Sequence, residues 1–320
     1  MGITAEVVSF IEMFLFLVTI TIYLRWRNII TASAAPSIAR LVMELVLPAL
    51  LIRKLSHIQV DWMTGQSVIA MIVAELIVGV LAFLIARYLF KLKPSSISVF
   101  ILCSTFGSTA LLGNTFIKEV YHDNPGITAI SLIIGQLAVG LPNNLLGPAL
   151  TLYFSQGKKT SRIKLILNSI VNPPLISILI GILWGLNKLP TTGAILSPFF
   201  EGLKICGDTL PFFSAVLTGL SLQKVKLKGI SLIMLTCCIL LLVVEPALVN
   251  HLVDLFGQPV ERQQITFLLA ALPASPLIVA FAVRYGGDQQ LAGTLVLVTT
   301  IVSGISLPLM MPLFDQFRVF

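Results

Sequence analysis

The sequence predicts an all-α integral membrane protein of ten transmembrane helices, built as a five-plus-five inverted repeat with broken fourth and ninth helices. Three observations predict it. The 320 residues are 57% hydrophobic and only 11% charged, with mean hydropathy +0.99. Soluble domains carry roughly 25% charged residues, so the solvent for this apolar surface is lipid. Ten apolar stretches follow one another, and turn-forming or polar breaks recur at matched positions in the two halves. The net charge of +7 is therefore read by its placement along the chain, and nucleic acid is not an expected partner.

The spans cover approximately residues 6–24, 37–52, 66–86, 97–117, 126–154, 165–186, 198–222, 229–250, 264–283 and 289–313. Each is close to or longer than the ~20 apolar residues that cross a bilayer. The first has no Lys or Arg before it and no polar cleavage region after it, so it reads as a retained span. The fifth and tenth are long and carry internal prolines, which predict kinks. The four cysteines, Cys103, Cys206, Cys237 and Cys238, lie in apolar runs without metal-ligand spacing. They read as small buried hydrophobes.

Charge sets the orientation. The odd-numbered loops hold most of the 21 lysines and arginines, among them Arg25, Arg27, Arg87, Lys91, Lys158, Lys159, Lys224, Lys226 and Arg284. Basic loops stay in the cytoplasm, which puts both termini outside it, in a multi-pass protein of the cell membrane.

The halves, residues 1–157 and 158–320, share landmarks at nearly constant offset. Phe100-Ile101-Leu102 pairs with Phe267-Leu268-Leu269, Leu141-Pro142 with Leu307-Pro308, and Leu47-Pro48 with Leu210-Pro211. Five is odd, so the halves enter the membrane from opposite sides. Within the ninth span, Pro273, Ser275 and Pro276 interrupt a helix; a proline in a helix interior costs about 3 kcal/mol or more. The matching part of the fourth span, TFGSTALLGN at residues 105–114, has no proline but is polar and rich in glycine. Ten residues into either span is about 15 Å, half of a ~30 Å hydrocarbon core. Irregular backbone at that depth is tolerated against protein or a watery cavity, and matched breaks point to a transport site.

At this point a resemblance becomes usable. LPASPLIVAFAVRYGGDQQLAGTLVLVTT at residues 272–300, GDTLPFFSAVLTGLSL at 207–222 and NPPLISILIGILWG at 172–185 resemble the auxin efflux carrier family, the PIN-like transporters, whose bacterial members are often described as malate or malonate permeases. The resemblance spans nearly the whole chain. It implies ten spans, an inverted repeat, and fourth and ninth helices that cross at their breaks. The chain has Ser108 and Leu277 where the family usually has asparagine, Thr115 where it usually has proline, and Val283 where it usually has glutamate.

The expected activity is secondary transport of a small organic anion, an auxin-like or dicarboxylate molecule, by alternating access. No phosphate loop for ATP is present. No nucleophile–base set or metal-ligand cluster is present either, so no enzyme activity, metal or cofactor is expected. The candidate substrate-binding residues are Ser108, Thr109, Asn114, Asn143, Asn144, Pro273, Ser275 and Pro276. With no Arg or Lys at that depth, the carboxylate would be held by the N–H groups of the second half-helices, each end carrying roughly +0.5 charge.

Coupling to a proton or sodium ion is expected at Asp208 or Glu75, acids deep in the seventh and third spans. Lys204, four residues before Asp208, is its local ion-pair candidate, and Glu44 pairs with Arg40 at the same spacing. Glu12 and Glu245 are expected nearer the outer face, in contact with water. His57, His122 and His251 fall at the outer ends of spans. Expected partners are the lipid bilayer and a second copy in a homodimer. The alternative is a non-transporting sensor or scaffold on the same fold.

Overall fold

The computed structural model describes residues 2–57, 61–109, 113, 117, 121, 124–155, 173–222 and 231–316. All regular structure among them is helical. Six helical stretches are long and apolar enough to cross a membrane: Ala32–Leu55, Trp62–Leu89, Gly126–Ser155, Leu196–Ser221, Ser231–Leu255 and Gln289–Met310. The helices are α1 (Gly2–Trp26), α2 (Ala35–Leu41), α3 (Leu47–Leu55), α4 (Trp62–Leu84), α5 (Pro94–Thr105), α6 (Pro125–Ile134), α7 (Leu141–Ser155) and α8 (Pro173–Leu186). They continue as α9 (Leu196–Asp208), α10 (Leu210–Ser221), α11 (Ser231–Ile239), α12 (Glu245–Leu255), α13 (Val260–Ala270), α14 (Leu277–Tyr285) and α15 (Gln289–Gln316). The basic segments at 158–164 and 224–228, and also Asn114, Thr115 and His122, lie outside the described residues.

Prolines shape the long helices. Pro48, Pro142 and Pro246 each follow a π-helical turn, at Val42–Val46, Gly135–Gly140 and Leu240–Val244. A proline cannot donate to the carbonyl one turn earlier, and the wider turn re-registers the ladder there. The helix then continues through the membrane without an irregular gap.

α4 illustrates how the bundle holds together in lipid. Ala70, Ala74, Val78 and Ala82 form a fully buried small-residue stripe, whereas Ile69, Val73, Leu76 and Val80 on the opposite side are exposed. Lipid is as apolar as leucine, so helices associate through close packing of small side chains rather than through the hydrophobic effect. Glycines do the same elsewhere: a Cβ on Gly147 of α7 would lie 2.4 Å from the Phe281 ring of α14, and one on Gly219 of α10 would lie 2.7 Å from Thr21 of α1.

Helix contacts sort into two groups. α1, α3, α8, α9 and α10 pack among themselves, and so do α4, α5, α7, α12, α13, α14 and α15. The groups meet where α2 and α10 touch α14, where α1 and α10 touch α15, and where α8 touches α7. Each group draws helices from both halves of the sequence, so neither half packs as a separate body. At one end of this seam Arg284 of α14 reaches Glu44 at 2.7 Å. Glu44 also takes the expected Arg40 at 3.0 Å.

Candidate substrate site at the helix breaks

The two interrupted spans meet at their breaks. α5 ends at Thr105 and Phe106 is extended; α13 ends at Ala270 and α14 starts at Leu277. Gly107 and Ala274 form an antiparallel bridge. The Ser108 N–H donates to the Pro273 carbonyl at 2.8 Å, and the Ser275 N–H donates to the Phe106 carbonyl at 3.0 Å. The Ala274 N–H is taken by the Thr299 hydroxyl of α15 at 3.2 Å. Each break thus satisfies backbone groups of the other, which is how non-helical chain survives inside a membrane protein. The approach needs a glycine, since a Cβ on Gly107 would stand 3.3 Å from the Leu272 carbonyl oxygen.

Beside the crossing lies a small cavity. It is lined by Gly107, Thr109, Ser275 and Leu277 from the breaks, by Gln136, Val139, Gly140, Asn143 and Asn144 from the fifth span, and by Leu47 and Leu51 from the second. Its volume of about 10 Å³ is close to the space one water needs. The site is therefore closed. Of the sequence candidates, Thr109, Asn143, Asn144 and Ser275 come together here. Ser108, Pro273 and Pro276 shape the crossing without lining the cavity.

Gln136, Leu47 and Leu51 were not among the sequence candidates. Gln136 had a signal: with Gly140, Asn143 and Asn144 it falls at i, i+4, i+7 and i+8, one helix face. Leu47 and Leu51 had none, because apolar residues in an apolar span carry no mark of what they face.

The cavity is polar but uncharged. No Lys, Arg, Asp or Glu is among its lining residues. The oxygens of Gln136, Asn143 and Asn144 and the hydroxyl of Ser108 are buried without a hydrogen-bond partner. Buried polar groups are normally satisfied, and each exception asks for an explanation. Asn144 donates its amide to the Gly140 carbonyl at 2.7 Å, and Thr109 donates to the Gly135 carbonyl at 3.0 Å. Gln136 and Asn143 are the two carboxamides with neither amide nitrogen committed to a described hydrogen bond; turned over, each offers an NH2 group in place of its oxygen.

The start of α14 is tighter than expected. Ile278 and Val279 donate to the carbonyls of Ser275 and Pro276, both at 3.1 Å, which leaves the Leu277 N–H without a backbone acceptor among the described residues. Leu277 is the first residue of α14, and the first N–H groups of a helix have no acceptor within it.

The profile of the membrane transport protein family matches residues 9–145 and 149–311. The chain belongs to this family, the auxin efflux carrier or PIN-like group that its sequence resembles. An uncharacterized transporter of Methanocaldococcus jannaschii is 25% identical over 234 residues, covering 71% of this chain and 72% of its relative. The protein is thus a multi-pass membrane protein of a transporter family, not of an enzyme family.

The acids lie elsewhere in this transporter. Asp208 is half-exposed and pairs with Arg53 at 3.0 Å, while Lys204 pairs instead with Glu201 at 3.3 Å. The i+4 spacing suggested Lys204, but the chain turns at Thr209 and brings Arg53 of α3 closer. Glu75 is buried as expected. Glu245, expected in contact with water, is only 1% exposed, because α4 packs directly across α12. At the start of α4, Asp61 caps the helix by accepting from the Thr64 N–H at 2.8 Å and pairs with Arg262 at 2.7 Å. Partial burial pushes the Asp61 carboxyl up, but the Thr64 hydroxyl and the Arg262 guanidinium outweigh it and bring it down to about 2.

Proposed function

We propose that this protein is a secondary carrier for small organic anions, working by alternating access at the crossing of its broken helices. The observation that carries the reading is the buried, uncharged, polar cavity beside the crossing, with unpartnered carboxamides and a hydroxyl around it. A carboxylate held there would rely on amide N–H groups and the free Leu277 N–H. A hydrogen bond to a charged group contributes about 1.5–3 kcal/mol, so a few of them suffice without an arginine. Leu47, Leu51 and Leu277 suit an anion with an apolar body.

Ten spans in a five-plus-five inverted repeat, with both termini outside, complete the proposal. The two helix groups support it: helices before residue 57 pack with 173–222, and 62–155 with 231–316, as two corresponding sets taken from each half. Sliding of one group against the other would open the closed cavity to either side. Cysteine placed at Lys91 should be labelled from the cytoplasm and at Lys188 from outside, in a Cys206→Ser background; labelling of both from one side would refute the topology.

Flux into proteoliposomes tests the function, using indole-3-acetate, malate and malonate against their neutral amides. At least one acid should be taken up and its amide should not. Binding without flux would favour the sensor alternative. Equal handling of acid and amide would remove the organic-anion assignment.

A further inference from the structure

Glu75 of α4 and Glu245 of α12 are 3% and 1% exposed, and Glu75 Oε1 and Glu245 Oε2 have no hydrogen-bond partner. The two helices that carry them pack directly against each other. Glu75 is 13 residues into α4 and Glu245 is 14 residues past the start of α11, each about 20 Å along its span and so well inside the hydrocarbon layer. They stand 170 residues apart in the chain, one on each side of its middle. Two ionised carboxylates without a counter-charge are not sustainable there: burial and mutual repulsion both oppose it.

We propose that Glu75 and Glu245 form a proton-binding pair, the coupling site of the carrier proposed above. Neighbouring polar groups fit a proton route. From Glu75, Ser67 lies two turns along α4 toward Asp61; from Glu245, Asn250 lies just over one turn along α12 in the same direction. Both have a buried oxygen without a partner. Beyond them Gln258 donates to Gln66 at 2.6 Å, next to the Arg262–Asp61 pair at the surface end. In the other direction Glu75 lines an apolar cavity of about 450 Å³, with exposed Leu76 and Val80 at its edge, together with Gly79 of α4 and with Thr105 and Phe106 at the break of the fourth span. Thr105 ends α5, and the C-terminal end of a helix favours positive charge.

The other titratable groups on elements packed against the pair are Cys103 of α5, Cys237 and Cys238 of α11, His251 and Asp254 toward the end of α12, Glu261 and Arg262 at the start of α13, and Arg87 and Tyr88 at the far end of α4. Tyr153 of α7 shares the large cavity. A proton fits better than a metal ion, since no group of three or more His, Cys, Asp or Glu able to hold a metal occurs among the described residues.

Infrared difference spectroscopy of the full chain in lipid nanodiscs tests this without any substrate, so its failure is separate from failure of the organic-anion reading. Wild type at neutral pH should show a protonated-carboxyl stretch that shifts in D2O. Glu75→Gln and Glu245→Gln should each reduce or move it, and the double variant should abolish it. Asp208→Asn, and exchange of potassium for sodium, should leave it intact. A wild-type protein without the band, or a double variant that keeps it, would overturn the proposal. Loss of the band on adding sodium would overturn it too, by making the pair a sodium site. The wild-type and sodium measurements decide the matter even if a variant fails to fold.

Discussion

The crossing cavity and the Glu75–Glu245 pair are both polar inclusions in a lipid-solvated bundle, yet they are built oppositely. The cavity collects neutral amides, hydroxyls and backbone groups from three spans, with no charged side chain among its described lining residues. The two acids are buried, each with a carboxyl oxygen that has no hydrogen-bond partner among the described residues. Neutral dipoles can orient toward an anion without being ionised in its absence. An unpaired acid couple stays buried by holding a proton instead. On the proposals made above, substrate and coupling proton would be read by different chemistry at different places.

The largest expected effect separates the two. Under an imposed pH gradient, each unit is worth about 1.4 kcal/mol per coupled proton, or roughly tenfold accumulation. Glu75→Gln should reduce accumulation of a transported carboxylate to its level without a gradient and leave exchange intact. Retained accumulation would break the division of labour.

The converse variant acts on the cavity. Gln136→Leu with Asn143→Leu removes the two uncommitted carboxamides and should weaken acid binding by about 10–100-fold, from 1.5–3 kcal/mol of charge-assisted hydrogen bonding. Binding of the same acid to Glu75→Gln should match wild type in a calorimetric or fluorescence titration.

A smaller effect tests the crossing itself. Gly107→Ala forces a Cβ to 3.3 Å from the Leu272 carbonyl and should cost about 1 kcal/mol of thermal stability, at the low end for overpacking. Unaltered melting would mean that the crossing is looser than its hydrogen bonds indicate.

The smallest effect concerns an exposed acid outside both inclusions. Asp61 is held near 2 in the folded protein against an ordinary value of about 3.9. A depressed folded value contributes stability above the unfolded one, which is lost as pH falls from about 4 to about 2. Its side chain is 55% exposed, so solvent screening keeps the contribution under about 1 kcal/mol. Asp61→Asn should flatten the stability profile in that window by this amount.

The all-helical membrane class and the broken helices were legible in the sequence because they are local and compositional. Pro273, Ser275 and Pro276 cannot continue a helix, and the apolar runs have no aqueous solution. The partners of Asp208 and the burial of Glu245 were not legible. Lys204 and Asp208 share a chain segment, but Arg53 is 155 residues from Asp208, and only packing brings it there. Glu245 near a proline reads as a hydrated acid until α4 is laid across it. Gln136 stood on the visible amide face of its helix and required only the helix period to be found.

Composition and helix-breaking residues therefore determined by themselves that this is a membrane protein with interrupted helices, since each is a property of the chain and its solvent. Only the tertiary structure decided that the two breaks hydrogen-bond to each other, that the fifth span turns its amides toward them, and that two acids 170 residues apart are both buried on helices that pack together. Those are long-range contacts. In lipid they are selected by close packing of small side chains, which the hydrophobic pattern of an all-apolar helix does not encode.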